Sequence, residues 1–182
     1  MRLEKMTNST ITALKNELFS GEPTTVFAIV DGATVTGLTR YLASFQPRHV
    51  CLYAGELAPD MAEVAPQLAL LERDAPFTDW LLGNGWGRGW GIYGKTGSRF
   101  TELRSHFRRL AKVADEATGR PLYFRFYDPK LLAIYLSGCS RKELRECFGP
   151  VQQYLVEDNV AGSLTRMQLV DDELRKESVS LG

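Results

Sequence analysis

The sequence has few of the residues from which common catalytic and metal sites are built. Its 182 residues include two histidines and three cysteines. His49 and His106 are isolated and show no metal-ligand spacing. No Cys-x-x-Cys motif occurs, and the odd number of cysteines argues against a disulfide framework or a structural zinc site. Free thiols at Cys51, Cys139 and Cys147 are typical of a reducing compartment.

Net charge and long apolar runs are also absent. The chain has 22 basic and 22 acidic residues, so its formal net charge is zero and it has no overall attraction to nucleic acid or anionic membranes. No apolar run approaches the ~20 residues that a membrane span needs. The first residues lack the apolar run of a signal peptide. We therefore expect a cytoplasmic protein without a nucleic-acid or membrane partner.

Short apolar segments alternate with amphipathic helical patterns along the chain. The predicted strands are Thr24–Asp31, His49–Ala54, Gln67–Glu72, a segment from Ile92, Leu122–Tyr127 and Val151–Val156. The longest predicted helix begins at Ser98 and ends near Gly119. This alternation predicts one α/β domain, with a mostly parallel or mixed central sheet of about five or six strands flanked by helices.

The predicted organisation has three parts. Residues 1–22 form an N-terminal helix, residues 23–160 form the α/β domain, and residues 161–182 form a polar C-terminal tail. The tail pattern also allows a charged helix over Leu164–Lys176.

The stretch Pro121–Leu132 joins a predicted strand directly to a predicted helix. From Leu122 to Tyr127, aliphatic and aromatic residues alternate with the period of a strand. Proline disfavours the helical conformation in the residue before it, which suits Asp128 as an N-cap. Pro129 then fits the first helical position.

Three polar or aromatic residues of this stretch are candidates for binding a partner. Arg125 lies between two tyrosines and needs an acid, an aromatic face or a partner carboxylate. An ion pair with Asp31 is the commoner structural interpretation. Tyr127 shares the predicted strand face with Arg125, and the simplest role for Asp128 is the helix cap.

Glycines dominate the segment Gly83–Gly91. Five glycines alternate there with larger residues, which excludes a regular helix and weakens any strand. Trp86 and Trp90 are either core residues or anchors for a partner, because tryptophan is frequent at interface hot spots. Arg88, between them, is a further candidate for partner binding.

The segment Gly89–Thr96 satisfies the phosphate-loop pattern Gly-x-x-x-x-Gly-Lys-Ser/Thr. In such a loop Lys95 would contact the terminal phosphates and Thr96 would bind magnesium. The context argues against this function, because Ile92 and Tyr93 are typical of a strand at the place where the loop should be. A nucleotide-binding enzyme nevertheless remains an alternative function.

A basic helix face provides another alternative. The face comprises Arg104, Arg108, Arg109 and Lys112. It could meet RNA or an acidic partner, although exposed helix faces are normally charged and a solvated face is the default.

Four sequence elements, in order, resemble one known family. They are Phe27-Ala28-Ile29-Val30-Asp31-Gly32-Ala33, Gly85-Trp86-Gly87 with Trp90-Gly91-Ile92, Phe124-Arg125-Phe126-Tyr127-Asp128-Pro129, and Phe148-Gly149-Pro150-Val151. Together they resemble the domain of unknown function 4123 family, the adaptors, or chaperones, of bacterial type VI secretion. The resemblance spans roughly Thr24 to Asn159.

The resemblance implies a non-enzymatic adaptor that needs no cofactor. Such an adaptor binds a cognate toxic effector in the cytoplasm and helps to load it onto the VgrG spike protein. The candidate partner-binding residues are Trp86, Arg88, Trp90, Arg125, Tyr127 and Asp128. Many family members carry a further C-terminal lobe after the Phe-Gly-Pro-Val element. Here a shorter segment follows Val151, and its polar tail could supply one of the two contacts by folding on binding.

Overall fold

A computed structural model describes residues 8–21, 24–114, 121–158 and 162–181. The helices are α1 Asn8–Leu18, α2 Leu38–Phe45, α3 Pro59–Val64, α4 Pro76–Gly85, α5 Phe100–Leu110, α6 Pro129–Gly138 and α7 Arg141–Phe148. The strands are β1 Thr25–Val30, β2 His49–Cys51, β3 Gln67–Leu71, β4 Gly91–Thr96, β5 Lys112–Ala114, β6 Pro121–Tyr123, β7 Gln153–Glu157, β8 Ser163–Val170 and β9 Glu173–Ser180.

One seven-stranded sheet organises the fold. Its strand order is β2-β3-β1-β4-β7-β8-β9, and every neighbouring pair is antiparallel. The remaining strands, β5 and β6, form a separate antiparallel ribbon. The predicted α/β domain, with one sheet flanked by helices, is confirmed. The mostly parallel arrangement of five or six strands is wrong.

The sheet is antiparallel because another strand lies between strands that run in the same direction. A strand, a helix and a strand in succession normally produce two parallel strands. Here β1 and β2 do run in the same direction, but β3 lies between them and opposes both. The strands β3 and β4 are likewise parallel and are separated by β1. The alternation along the chain is therefore consistent with successive strands that run in the same direction, but these strands are not neighbours in the sheet.

The segment expected to be a polar tail completes the sheet. A charged helix over Leu164–Lys176 is not formed, because β8 and β9 pair as a hairpin along their whole length. Leu164 and Met167 are buried under the helices on opposite faces of β8. The polarity of β9 follows from its place at the sheet edge, where most of its side chains meet solvent.

The ribbon β5–β6 replaces the end of one predicted helix and keeps only the start of one predicted strand. The helix from Ser98 ends at Leu110, and Gly119 lies outside the described residues. The strand expected over Leu122–Tyr127 ends at Tyr123, and the chain then turns. Phe126 and Tyr127 are both buried, which a continued strand exposed on one face would not allow.

Two apolar layers sandwich the sheet. Alternate residues of β1 point to opposite faces, so Phe27 and Ile29 contact one layer while Val26 and Ala28 contact the other. The first layer is built from α5, α6 and α7, and the second from α1, α2 and α4. Within the described ranges, every helix is too short or too polar to cross a bilayer.

Candidate functional site

One end of the sheet carries most of the candidate residues. Val30 at the end of β1 pairs with Gly91 at the start of β4, and β7 ends beside them. A cleft of about 380 Å³ opens at this end. Its lining residues are Thr34, Gly87, Arg88, Gly89, Asp128, Pro129, Lys130, Glu157 and Asp158. We call it the sheet-end cleft.

A glycine turn encloses Glu157 in this cleft. The N–H of Gly89 donates to both carboxylate oxygens of Glu157, at 3.1 Å each. Gly87 and Gly89 have φ angles of 77° and 66°, which glycine adopts without steric penalty. Burial raises the pKa of Glu157 to about 7, and hydrogen bonds from the turn's backbone partly oppose this rise. The turn's N–H groups therefore bind the protein's own carboxyl group.

Asp31 and Arg125 form the ion pair that the sequence suggested. The Asp31 side chain is 4% exposed and bonds to Arg125, whose side chain is 49% exposed. The Asp31 carboxylate also accepts hydrogen bonds from the Ala33 N–H at 3.0 Å and the Thr34 hydroxyl at 2.7 Å. Because Thr34 lines the sheet-end cleft, the ion pair is connected to that cleft.

Tyr127 and Asp128 have mainly structural contacts. Tyr127 is buried, and its hydroxyl lies 3.3 Å from that of Tyr53. Burial, followed by this hydrogen bond, raises the pKa of Tyr127. Asp128 is the predicted N-cap of α6, and it accepts hydrogen bonds from the N–H groups of Lys130 and Leu131 at 2.9 and 3.0 Å.

The two tryptophans of the glycine segment point away from the sheet-end cleft. Trp86 is 7% exposed and packs against Tyr93, with ring centroids 5.6 Å apart. Trp90 is half-buried and packs against Trp80 at 5.4 Å. Both belong to the apolar layer of α1, α2 and α4. Arg88 and Asp128 thus both line the sheet-end cleft, Arg125 is connected to it through Asp31, and the tryptophan side chains lie in the apolar layer apart from it.

The phosphate-loop pattern falls on a buried strand. Residues Gly91–Thr96 form β4, paired on both sides. The Lys95 ammonium donates to the backbone oxygen of Ser20 at 3.0 Å, and the Thr96 hydroxyl donates to that of Pro150 at 2.7 Å. Because Gly91–Thr96 is a strand paired on both sides, these residues do not form the loop that the phosphate-loop pattern predicted.

Sequence reasoning missed an exposed apolar feature on α6. On α6, Ile134 is 70% exposed, Leu131 46% and Tyr135 39%. Their spacing places them on one helix face, and we call this face the α6 surface. Leu132 and Leu136 cover the core from the opposite face. The available signal was that α6 is apolar almost all round, although a helix on one side of a sheet needs one apolar stripe.

A second exposed aromatic feature lies on the other layer. Tyr41 is 41% exposed and stacks on Trp80 with ring centroids 4.2 Å apart. It borders a groove of about 430 Å³, which we call the α2 groove. The groove is lined by Thr36, Gly37, Arg40, Tyr41, Ser44 and Glu63. Trp80, on which Tyr41 stacks, also packs against Trp90.

The histidines and acids of the described ranges do not assemble into a metal site. No group of three or more His, Cys, Asp or Glu residues there could hold a metal ion. His106 is buried, and its Nε2 atom lies 3.1 Å from the backbone oxygen of Cys147. Burial lowers the pKa of His106 to about 4, so the ring is neutral at neutral pH.

These features define an α/β domain with buried or capped carboxylates at one end of its main sheet, an exposed apolar surface on one layer and an exposed groove beside Tyr41 on the other. The sequence profile of domain of unknown function 4123 (DUF4123) matches residues 26–146. The chain therefore belongs to the DUF4123 family. No curated protein and no solved structure matches it.

Proposed function

We propose that this protein is a non-enzymatic adaptor of type VI secretion. It binds a cognate effector in the cytoplasm of the producing cell and helps to load that effector onto the VgrG spike protein. The binding is non-covalent and requires no cofactor. Membership of the DUF4123 family supports this proposal through the resemblance that first suggested it.

The observation that carries the proposal is the presence of two exposed surfaces on opposite layers of the sheet. The apolar α6 surface belongs to the layer of α5, α6 and α7, whereas the mostly polar α2 groove, which Tyr41 borders, belongs to the layer of α1, α2 and α4. Contiguous exposed apolar residues, as on α6, commonly mark protein interaction sites, and an exposed tyrosine can anchor a partner. Two surfaces separated by a sheet allow one molecule to hold two proteins at once.

The state of the carboxylates also favours binding over catalysis. Asp31 accepts three donors, Asp128 caps α6, and Glu157 is enclosed by the glycine turn. A general base must be able to reach a substrate proton. These carboxylates are instead occupied by donors of the protein itself, which suits a rigid scaffold.

Affinity purification tests the proposal. The tagged full-length protein is purified at native expression level from its own cells, and the companion proteins are identified by mass spectrometry. We expect a VgrG-type spike protein together with a second, larger protein that carries the toxic activity. Recovery of the protein alone, under conditions that preserve weak complexes, would argue against a stable adaptor.

A further inference from the structure

We infer that the α6 surface binds an amphipathic helix with an acidic flank, supplied by a partner protein. This inference rests on the proposed adaptor function, because it names the class of partner that one of the two surfaces accepts. Three observations carry it: the shape of the surface, the charges at its borders, and the backbone of the helix that presents it.

The shape of the α6 surface suits another helix. Leu131, Ile134 and Tyr135 follow the i, i+3, i+4 spacing that forms a ridge along a helix. Tyr135 is braced by the half-buried ring of Phe124, whose centroid lies 4.8 Å away. Gly138 lies one turn beyond Ile134, and a Cβ atom added there would have no neighbour within 4 Å, so the surface has a notch at this glycine. The ridge and this notch span about 10 Å, which is two helical turns.

Basic side chains lie along one border of the surface. Lys130 is exposed and lies one helical turn before Ile134. On the same flank, the Lys176 ammonium donates to the Ala133 backbone oxygen at 3.0 Å and to the Ser137 hydroxyl, whereas Glu143 lies near Tyr135. Among the described residues, neither lysine forms an ion pair with a carboxylate. Complementary potentials orient partners, so a helix with an acidic flank beside Lys130 and Lys176 fits this surface.

Two other classes of occupant fit the surface less well. An added strand needs free backbone groups at a sheet edge, whereas α6 satisfies its own backbone. The free edge at β9 is charged, which discourages strand addition. A lipid surface is usually bound by longer amphipathic helices, and α6 has only 10 residues.

Two synthetic helical peptides test the inference with the purified full-length protein. Both have leucine at i, i+3, i+4 and i+7; one has glutamate at the flanking positions and the other has lysine. We expect the glutamate peptide to bind at least about tenfold more tightly in fluorescence anisotropy, a difference of about 1.4 kcal/mol. Added salt should reduce this preference.

Variants of the protein locate the binding. Ile134→Asp, and independently Leu131→Asp, should weaken glutamate-peptide binding about tenfold or more, because each places a charge within the apolar ridge. Ser105→Asp is the matched control, since it adds the same charge at an exposed position of α5. Lys130→Glu combined with Lys176→Glu should reverse the preference between the two peptides.

Several outcomes would overturn the inference. With the peptides, these outcomes are no binding of either peptide, equal binding of both, or binding that Ile134→Asp leaves unchanged. Two further outcomes would identify a different occupant: a dimer of this protein that Ile134→Asp dissociates, or Ile134-dependent binding to phosphatidylserine vesicles in place of the peptide. If cells yield the spike protein and a companion while any of these outcomes is observed, the adaptor function is retained. Only the proposal that the α6 surface binds a helix is then rejected.

Discussion

The carboxyl group of Glu157 is largely buried at the end of β7. Its pKa of about 7 in the folded protein lies above the usual 4.5, so the folded state retains this proton when the unfolded state has lost it. The resulting stabilisation is fully present below about pH 4.5 and is lost as the pH rises through 7. The change amounts to about 3 kcal/mol in the free energy of unfolding.

Glu157→Gln tests this linkage, because glutamine does not titrate. Urea denaturation between pH 4.5 and 7.5 should show a flatter dependence of stability on pH for Glu157→Gln than for the wild type. Glu146→Gln, at an exposed position of α7, is the control and should leave the slope unchanged. Parallel curves for the wild type and Glu157→Gln would show that Glu157 does not retain its proton.

Gly94 lies where β4 passes beneath an aromatic ring. A Cβ atom at this position would come within 2.4 Å of the Phe27 ring and 2.9 Å of the Gln153 backbone oxygen. Gly94→Ala should therefore lower the free energy of unfolding by about 1–3 kcal/mol, as measured by urea denaturation. Gly138→Ala is the control, since an added Cβ there meets nothing within 4 Å. Equal stability of the two variants would contradict the close packing at Gly94.

At the scale of elements, the start of α6 depends on one side chain. Asp128 accepts hydrogen bonds from two N–H groups of the first turn, and no other side chain of the described residues caps that turn. Asp128→Ala should lower the melting temperature, corresponding to a loss of about 1 kcal/mol. Asp128→Asn retains an oxygen acceptor and should remain close to the wild type. A melting temperature of Asp128→Ala equal to that of the wild type would mean that water replaces the cap.

Sequence signals within one turn predicted the start of α6 correctly, whereas the prediction of a strand that depends on long-range packing was partly wrong. The Asp128-Pro129 cap was confirmed, because it depends on residues within one turn. The strand expected over Leu122–Tyr127 was wrong beyond Tyr123. Burial of Phe126 and Tyr127 in the core outweighed the alternation there, and tertiary contacts commonly override such propensities.

The sheet-end cleft was only partly predictable. The pair of Asp31 and Arg125 could be anticipated, because a buried carboxylate needs a partner. Glu157 could not, because nothing in its neighbourhood along the sequence indicates that a glycine turn near residue 88 folds back onto it. The exposure of Ile134 depends on which face of α6 meets the sheet, which the nearly all-apolar helix leaves open.

At the scale of the whole molecule, the C-terminal hairpin belongs to the folded unit. Its residues Leu164, Met167 and Leu181 are buried at 0, 0 and 3% exposure. Truncation after Asp158 would remove these side chains and leave the long edge of β7 unpaired. We expect the truncated protein to lose its cooperative thermal transition and to aggregate. A soluble truncated protein with an unchanged melting temperature would instead support the original prediction of a polar tail.

We propose that one molecule binds two different proteins through surfaces on opposite layers of its sheet. Co-purification from native cells should be compared for the wild type, Ile134→Asp and Tyr41→Asp, with Ser105→Asp as the control. We expect the wild type and the control to recover the spike protein and the effector. Each of the other two variants should lose direct binding to a different one of these proteins, as tested with purified components. Retention of both partners by both variants, with each variant folded, would contradict binding through these two surfaces.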